Sequence, residues 1–133
     1  MSKSFEEVKQ RFEAIEITEP FDMIVAIANG GIIPAAMLNQ RLDVGVHLLK
    51  LNLRDASQKQ LYDVPQLLEE IRFEVKGKRI LLVEDRIKTG TTVQYAKQLL
   101  LDKGAACVKT FAVNGNADYC LYDESCFRFP WII

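Results

Sequence analysis

A chain of 133 residues has room for one compact domain and not for a second of ordinary size, so one domain, residues 1–133, is expected to carry any site. Hydrophobic residues make up 49% and charged residues 26%, which fits a globular protein with a real core and excludes a disordered tail. Seventeen Lys+Arg against 18 Asp+Glu leave a net charge of −1, which provides no global field for nucleic acid or an anionic membrane. A local site for a small anion stays open.

The amino-terminal MSKSFEEVKQRFEAIEI has no apolar h-region, and no apolar run reaches membrane-spanning length, so a soluble cytoplasmic protein is expected. Cys107, Cys120 and Cys126 form no C-x-x-C pair and read as reduced thiols. The only histidine, His47, lies in the apolar run VGVHLLKL and reads as a strand residue. Its solitude disfavours His-rich metal sites and most Ser-His-Asp schemes.

Ser4 followed by Glu7 resembles a capping box, and Phe5, Val8, Phe12 and Ile15 then recur at helical spacing. Met23 to Ala28 is a continuous apolar run, as a strand buried on both faces requires, and Asn29-Gly30-Gly31 ends it. Ile32 to Leu42 reads as a helix, with Pro34 tolerated in its first turn. Val44 to Leu53 is a second strand. Arg54 to Asp63 lacks either periodicity and reads as a mobile loop, and Pro65 to Phe73 as a short helix or an edge strand.

Lys76-Gly77-Lys78 marks a turn before Arg79 to Val83, the most strand-like run in the chain. Thr89 to Lys103 carries Val93, Ala96, Leu99 and Leu100 on one face with Gly104 as its stop, and Cys107 to Val113 supplies a further strand. Alternating strands and helices predict a doubly wound α/β domain with a mostly parallel sheet and flanking helices.

The chemistry concentrates in ILLVEDRIKTGTT, residues Ile80 to Thr92: a buried strand, two acids, a short Thr- and Gly-containing loop, then a helix. Two carboxylates at a strand tip can accept hydrogen bonds from vicinal hydroxyls or help to hold a divalent metal. The backbone N–H groups of Lys88 to Thr92, the hydroxyls of Thr89, Thr91 and Thr92 and the positive end of the helix form an anion cradle. Gly90 allows close backbone approach. A sugar phosphate matches that polarity from end to end. Walker A is absent, and Asn29-Gly30-Gly31 lacks the third glycine of a dinucleotide fingerprint.

VEDRIKTGTT resembles the phosphoribosyl-pyrophosphate (PRPP) motif of type I phosphoribosyltransferases, where hydrophobic residues precede two acids and then T-G-x-T. IVAIANGGIIPA resembles the same family's pyrophosphate loop. Ala117-Asp118-Tyr119 through Phe129-Pro130-Trp131 is similar to the small C-terminal hood of the short xanthine-guanine and hypoxanthine enzymes.

The resemblance implies transfer of a 5-phosphoribosyl group from PRPP to a nucleobase, most plausibly a purine, with Mg²⁺ and release of pyrophosphate. By the same resemblance Glu84 and Asp85 bind the ribose hydroxyls and the metal, and Lys88, Thr89, Gly90, Thr91 and Thr92 bind the 5′-phosphate. Glu84, Asp85 and Lys88 are the catalytic candidates. Asn29, Gly30 and Gly31, with Lys50 or Arg54, contact pyrophosphate, and Tyr119 or Phe127 meets the base. The Arg54 to Asp63 loop closes over the site. A homodimer is also implied.

Three positions depart from the family's pattern. Asn29 stands where many relatives have Arg or Lys, and Lys88 where the 6-oxopurine enzymes have an Asp that contacts the purine and can accept its proton. Cys126 stands where the short purine enzymes stack a Trp on the base. An ammonium accepts no proton, so Lys88 suits an anionic base such as xanthine or orotate. The second reading is a non-catalytic PRPP- or nucleoside-monophosphate-sensing protein of the same fold. In their bland readings, Gly30-Gly31 is only a tight turn and Phe129-Pro130-Trp131 only packing.

Overall fold

Met23–Ala28 forms strand β1, and its apolar side chains on both faces place it inside the sheet rather than at an edge. The computed structural model describes residues 2–52, 66–67 and 70–133. The other strands are β2 (Gly45–Asn52), β3 (Gln66–Leu67), β4 (Arg79–Arg86), β5 (Cys107–Asn114) and β6 (Tyr119–Tyr122). Their spatial order is β3-β2-β1-β4-β5-β6. All neighbours are parallel except β3, a two-residue antiparallel edge on β2.

The helices α1 (Phe5–Ala14), α2 (Ile32–Leu42) and α3 (Thr91–Asp102) cover the two faces. Alternate strand residues enter opposite cores, as the period of two dictates. Ile24, Ala26, Leu81 and Val83 pack with Val8 and Phe12 of α1 and Ala35 and Leu38 of α2. Met23, Val25, Ile27, Ile80 and Leu82 pack with Val93, Ala96 and Leu100 of α3. Each fully buried aliphatic side chain among these contributes about 1.5–3 kcal/mol.

From β1 the chain passes through α2 to β2 on one side, and from β4 through α3 to β5 on the other. The carboxyl ends of β1 and β4 therefore flank the point where the winding reverses, the position at which open α/β sheets leave a crevice. Beneath, at the opposite edge, Asp22 accepts two side-chain hydrogen bonds from Arg79, at 3.0 and 2.9 Å. That guanidinium holds the Asp22 carboxyl well below the ordinary carboxylate range.

The expected doubly wound sheet is present, with several boundaries moved. Ser4 caps α1 through the Glu7 N–H at 3.1 Å, but Phe5 is 49% exposed and only Val8 and Phe12 of the helix are buried. Helix α3 starts at Thr91 rather than Thr89, because Gly90 adopts a left-handed conformation at φ 86°. Within Pro65 to Phe73 the described Gln66–Leu67 pair is an edge strand. The Arg54 to Asp63 loop lies outside the described residues.

The hood begins later than expected. Tyr119 to Tyr122 joins the main sheet as β6, because the Asp118 carboxylate accepts the N–H and hydroxyl of Thr110 and aligns Tyr119 with Phe111. Beyond it, Phe127 meets Phe129 edge-on at 5.3 Å between ring centroids, and Phe129 stacks on Trp131 at 5.2 Å. Lys3 lies over the rings of Tyr122 and Phe127 and pairs with Glu124 at 2.9 Å, so the segment before α1 braces this layer.

Gly31 sits where the turn after β1 crosses the backbone of β4. A Cβ there would lie 2.4 Å from the Val83 carbonyl oxygen and 2.9 Å from that of Ile27. Gly31→Ala is therefore expected to cost about 1–3 kcal/mol, as overpacking against backbone does, and to lower the urea midpoint. An unchanged midpoint would show that the turn relaxes without loss.

Candidate functional site

Two consecutive acids end the buried part of β4, and their carboxyls lie within hydrogen-bonding reach of each other. Each is oriented by the backbone just after it: the Asp85 N–H donates to Glu84 Oε1 at 3.0 Å, and the Arg86 N–H to Asp85 Oδ1 at 2.6 Å. Burial pushes the Glu84 carboxyl well above the ordinary carboxylate range, and the neighbouring Asp85 charge adds to it.

The turn after β1 closes on this pair. Its Gly31 N–H donates to the Ile27 carbonyl at 2.8 Å and its Ile32 N–H to that of Asn29 at 3.1 Å, and the Ala28–Asn29 peptide is cis. A Cβ on Gly30 would lie 2.5–2.6 Å from the carboxylate atoms of Asp85. Gly30 thus lets its backbone lie directly against Asp85, so the tight turn has a further role in shaping the crevice.

On the other side, the Ile87 N–H donates to the Asn114 carbonyl at 3.0 Å and fixes the start of the loop. Lys88 and Thr89 are exposed on that loop. The Thr89 and Thr91 hydroxyls lie 3.1 Å apart, and the Gln94 N–H bonds the Gly90 carbonyl as the helix begins. The N-cap Gly90 offers no capping side chain, the Thr91 N–H reaches Thr89 Oγ1 only at 3.4 Å, and no acid occupies the first turn, so the amino end of α3 presents positive potential beside two hydroxyls. Thr92 lies in that same first turn.

The candidate residues divide by position. Glu84, Asp85, Gly30 and Gly31 meet at the crevice, with exposed Asn29 in the same turn. Lys50 stands beside Ala28 in register on β2, at the same sheet edge. Arg54 lies outside the described residues.

The two rings expected to meet a base do not reach the crevice as described. Tyr119 lies toward the amino edge of the sheet, where its hydroxyl bonds Glu19 and its ring meets Phe21 edge-on. Burial and that carboxylate push its phenol up to about 12. The Phe127 ring is 3% exposed, wedged against Tyr122 and Phe129 because the hood needs it as core. Cys126 is exposed.

Sequence reasoning passed over Arg86 and Asn114, which tie the hood to the strand ends. Arg86 Nη2 donates to the Phe127 carbonyl at 2.6 Å, and Asn114 Nδ2 donates to the carbonyls of Glu124 and Ser125. The signal available was a lone arginine following two acids at the end of an apolar strand.

A family model for the phosphoribosyl transferase domain matches residues 6–129. The chain belongs to this family. A xanthine-guanine phosphoribosyltransferase from Idiomarina loihiensis is 25% identical over 120 residues, covering 85% of this chain and 72% of that protein. An orotate phosphoribosyltransferase from Sulfurisphaera tokodaii is 29% identical over 93 residues, covering 70% of this chain and 43% of that protein, less than half its length. The purine phosphoribosyltransferase structure from Pyrococcus horikoshii superposes with a TM-score of 0.79 at 23% identity, covering 98% of this chain and 92% of that one. That likeness carries the type I phosphoribosyltransferase fold.

Glu84 makes the site's electrostatics measurable without ligand. Its proton is held to higher pH in the folded chain than in the unfolded one, so its contribution to stability is present in acid and lost as pH rises through the raised folded value. Glu84→Gln keeps the shape and removes the charge, so it is expected to melt above the wild type at pH 8 and close to it at pH 5. Coincident melting curves at both values would show that Glu84 carries no such penalty.

Proposed function

We propose that this chain transfers a 5-phosphoribosyl group from PRPP to a nucleobase, a purine before others, releasing pyrophosphate in nucleotide salvage. The observation that carries the reading is the Gly30 backbone lying against the Asp85 carboxylate at the winding reversal, next to the uncapped amino end of α3. One crevice then offers carboxylates for a ribose diol and, a few residues on, N–H groups for a phosphate.

In this reading Glu84 and Asp85 hold the 2′- and 3′-hydroxyls, and the segment Lys88 to Thr92 holds the 5′-phosphate. Asn29, Gly30 and Gly31 receive the pyrophosphate, with Lys50 and Arg54 as its cations. The bond from C1′ to the pyrophosphate oxygen breaks with its electron pair on oxygen, a base nitrogen bonds C1′, and the proton lost from the base passes to the released pyrophosphate or to water. Lys88 as an ammonium steadies negative charge on the base rather than taking that proton.

The residues present fit Mg²⁺. Each acid has one oxygen held by a backbone N–H and the two carboxyls lie close together, and no group of three or more His, Cys, Asp or Glu is assembled among the described residues. Mg²⁺ is commonly held by one or two carboxylates together with substrate phosphates. Bound there by Glu84 and Asp85, it would neutralise charge on the leaving pyrophosphate.

A cytoplasmic homodimer completes the reading. The homodimer is supported by the exposed Val46 and Leu48 of β2. The second reading, a PRPP- or nucleoside-monophosphate-sensing protein, is favoured by one observation: the Tyr119 and Phe127 rings are both engaged away from the crevice.

Calorimetric titration with PRPP, with and without Mg²⁺, tests the shared part of both readings, and saturable Mg-dependent binding is expected. Glu84→Gln with Asp85→Asn should weaken it at least about tenfold, since charge-assisted hydrogen bonds to two hydroxyls are lost. Unchanged affinity would refute the ribose assignment. Pyrophosphate release in the presence of hypoxanthine, guanine, xanthine, adenine, uracil or orotate then separates transfer from sensing. Lys88→Asp is expected to shift preference from xanthine or orotate toward hypoxanthine; an unshifted ranking would remove Lys88 from base selection.

A further inference from the structure

Arg86 directly follows the acid pair and is the last residue of β4. Its backbone N–H holds Asp85 Oδ1 at 2.6 Å, while its side chain turns to the hood. There Nη2 donates to the Phe127 carbonyl at 2.6 Å, and the guanidinium carbon lies 4.7 Å from the Phe129 ring centroid. Phe129 in turn stacks on Trp131, with the rings 12° from parallel. In register on β5, Asn114 donates to the Glu124 and Ser125 carbonyls and accepts the Glu124 N–H at 3.0 Å. One cross-strand pair thereby attaches the whole 124–127 segment to the carboxyl ends of β4 and β5.

Packing alone does not account for an arginine here. Its Nε is shut off from water and has no hydrogen-bond partner among the described residues, an unfavourable state for a cationic donor. A branched aliphatic residue would continue the strand without that penalty. Local sacrifices of this kind mark positions where geometry is required rather than stability.

We propose that Arg86 is a positioning residue that couples the ribose-phosphate end of the site to its acceptor end. Its main chain orients Asp85 and its side chain sets the hood segment Ser125 to Phe127 at the crevice rim. This rests on the transfer reading for the identity of the two ends, but the docking of the hood by Arg86 stands on the geometry alone. The consequence is selective: loss of the side chain leaves the Asp85 hydrogen bond, and with it ribose-phosphate binding, in place.

Trp131 is the sole tryptophan, and its stack on the Phe129–Arg86 pair makes its emission a direct report of hood docking. In Arg86→Met, acrylamide quenching of Trp131 is expected to rise and ribose 5-phosphate affinity to stay within about twofold. The KM for the base that wild type accepts should rise about tenfold with kcat changed less, the scale of one lost charge-assisted hydrogen bond. Arg86→Lys, which retains the cation over Phe129 without the guanidinium fork, should fall between, and it carries the decision if the methionine variant does not fold. Unchanged quenching overturns the proposal, and so does an equal loss of ribose 5-phosphate and base binding. A wild-type protein that binds no PRPP would sink the transfer reading alone, and the Trp131 measurement would still decide whether Arg86 docks the hood.

Discussion

Everything at the crevice depends on two missing Cβ atoms. Residues 29–31 must pass between the end of β1 and the end of β4, and the space is so small that Gly31 faces the β4 backbone while Gly30 faces the Asp85 carboxylate. Any larger residue would part the two strand ends or turn the acid away. The consequence is a rigid junction in which backbone amides and a carboxylate share one wall, a combination that side chains on mobile loops would reproduce only at an entropic cost.

That junction is electrically divided. On the β4 side lie two adjacent carboxyls, one of them held above its ordinary range by burial and by its neighbour. A few residues later the chain enters α3 with no acid in the first turn and no side-chain cap. The polarity changes sign along one short segment, from carboxyls at the strand end to N–H groups at the start of the helix.

Much of this was legible in the sequence. The uninterrupted apolar runs of β1 and β4 announce strands buried on both faces, and Ile32–Leu42 matches its predicted limits because glycine precedes it and left-handed Asp43 ends it. Gly30 and Gly31 stand out in the sequence as the end of an apolar run, but only the three-dimensional arrangement reveals that Gly31 meets backbone and Gly30 a carboxylate. β6 escaped detection because four residues give no readable period and its alignment is set by the distant Asp118–Thr110 contact. The aromatic rings misled for a related reason. Whether a Tyr or Phe near the chain end faces a ligand or a core is decided by tertiary packing, and here both Tyr119 and Phe127 were claimed by neighbouring aromatic rings.

The junction also bears on how the chain assembles. β1 pairs with β4 across a long stretch of sequence, as the Asp22–Arg79 contact with its separation of 57 residues marks. During synthesis the first strand-helix-strand unit emerges complete before β4 exists, yet it holds only the glycine turn and none of the acids. Closing the central seam orders the whole intervening chain, and contacts of such separation slow folding. Anything bound across both halves of the sheet would favour the closed domain by mass action.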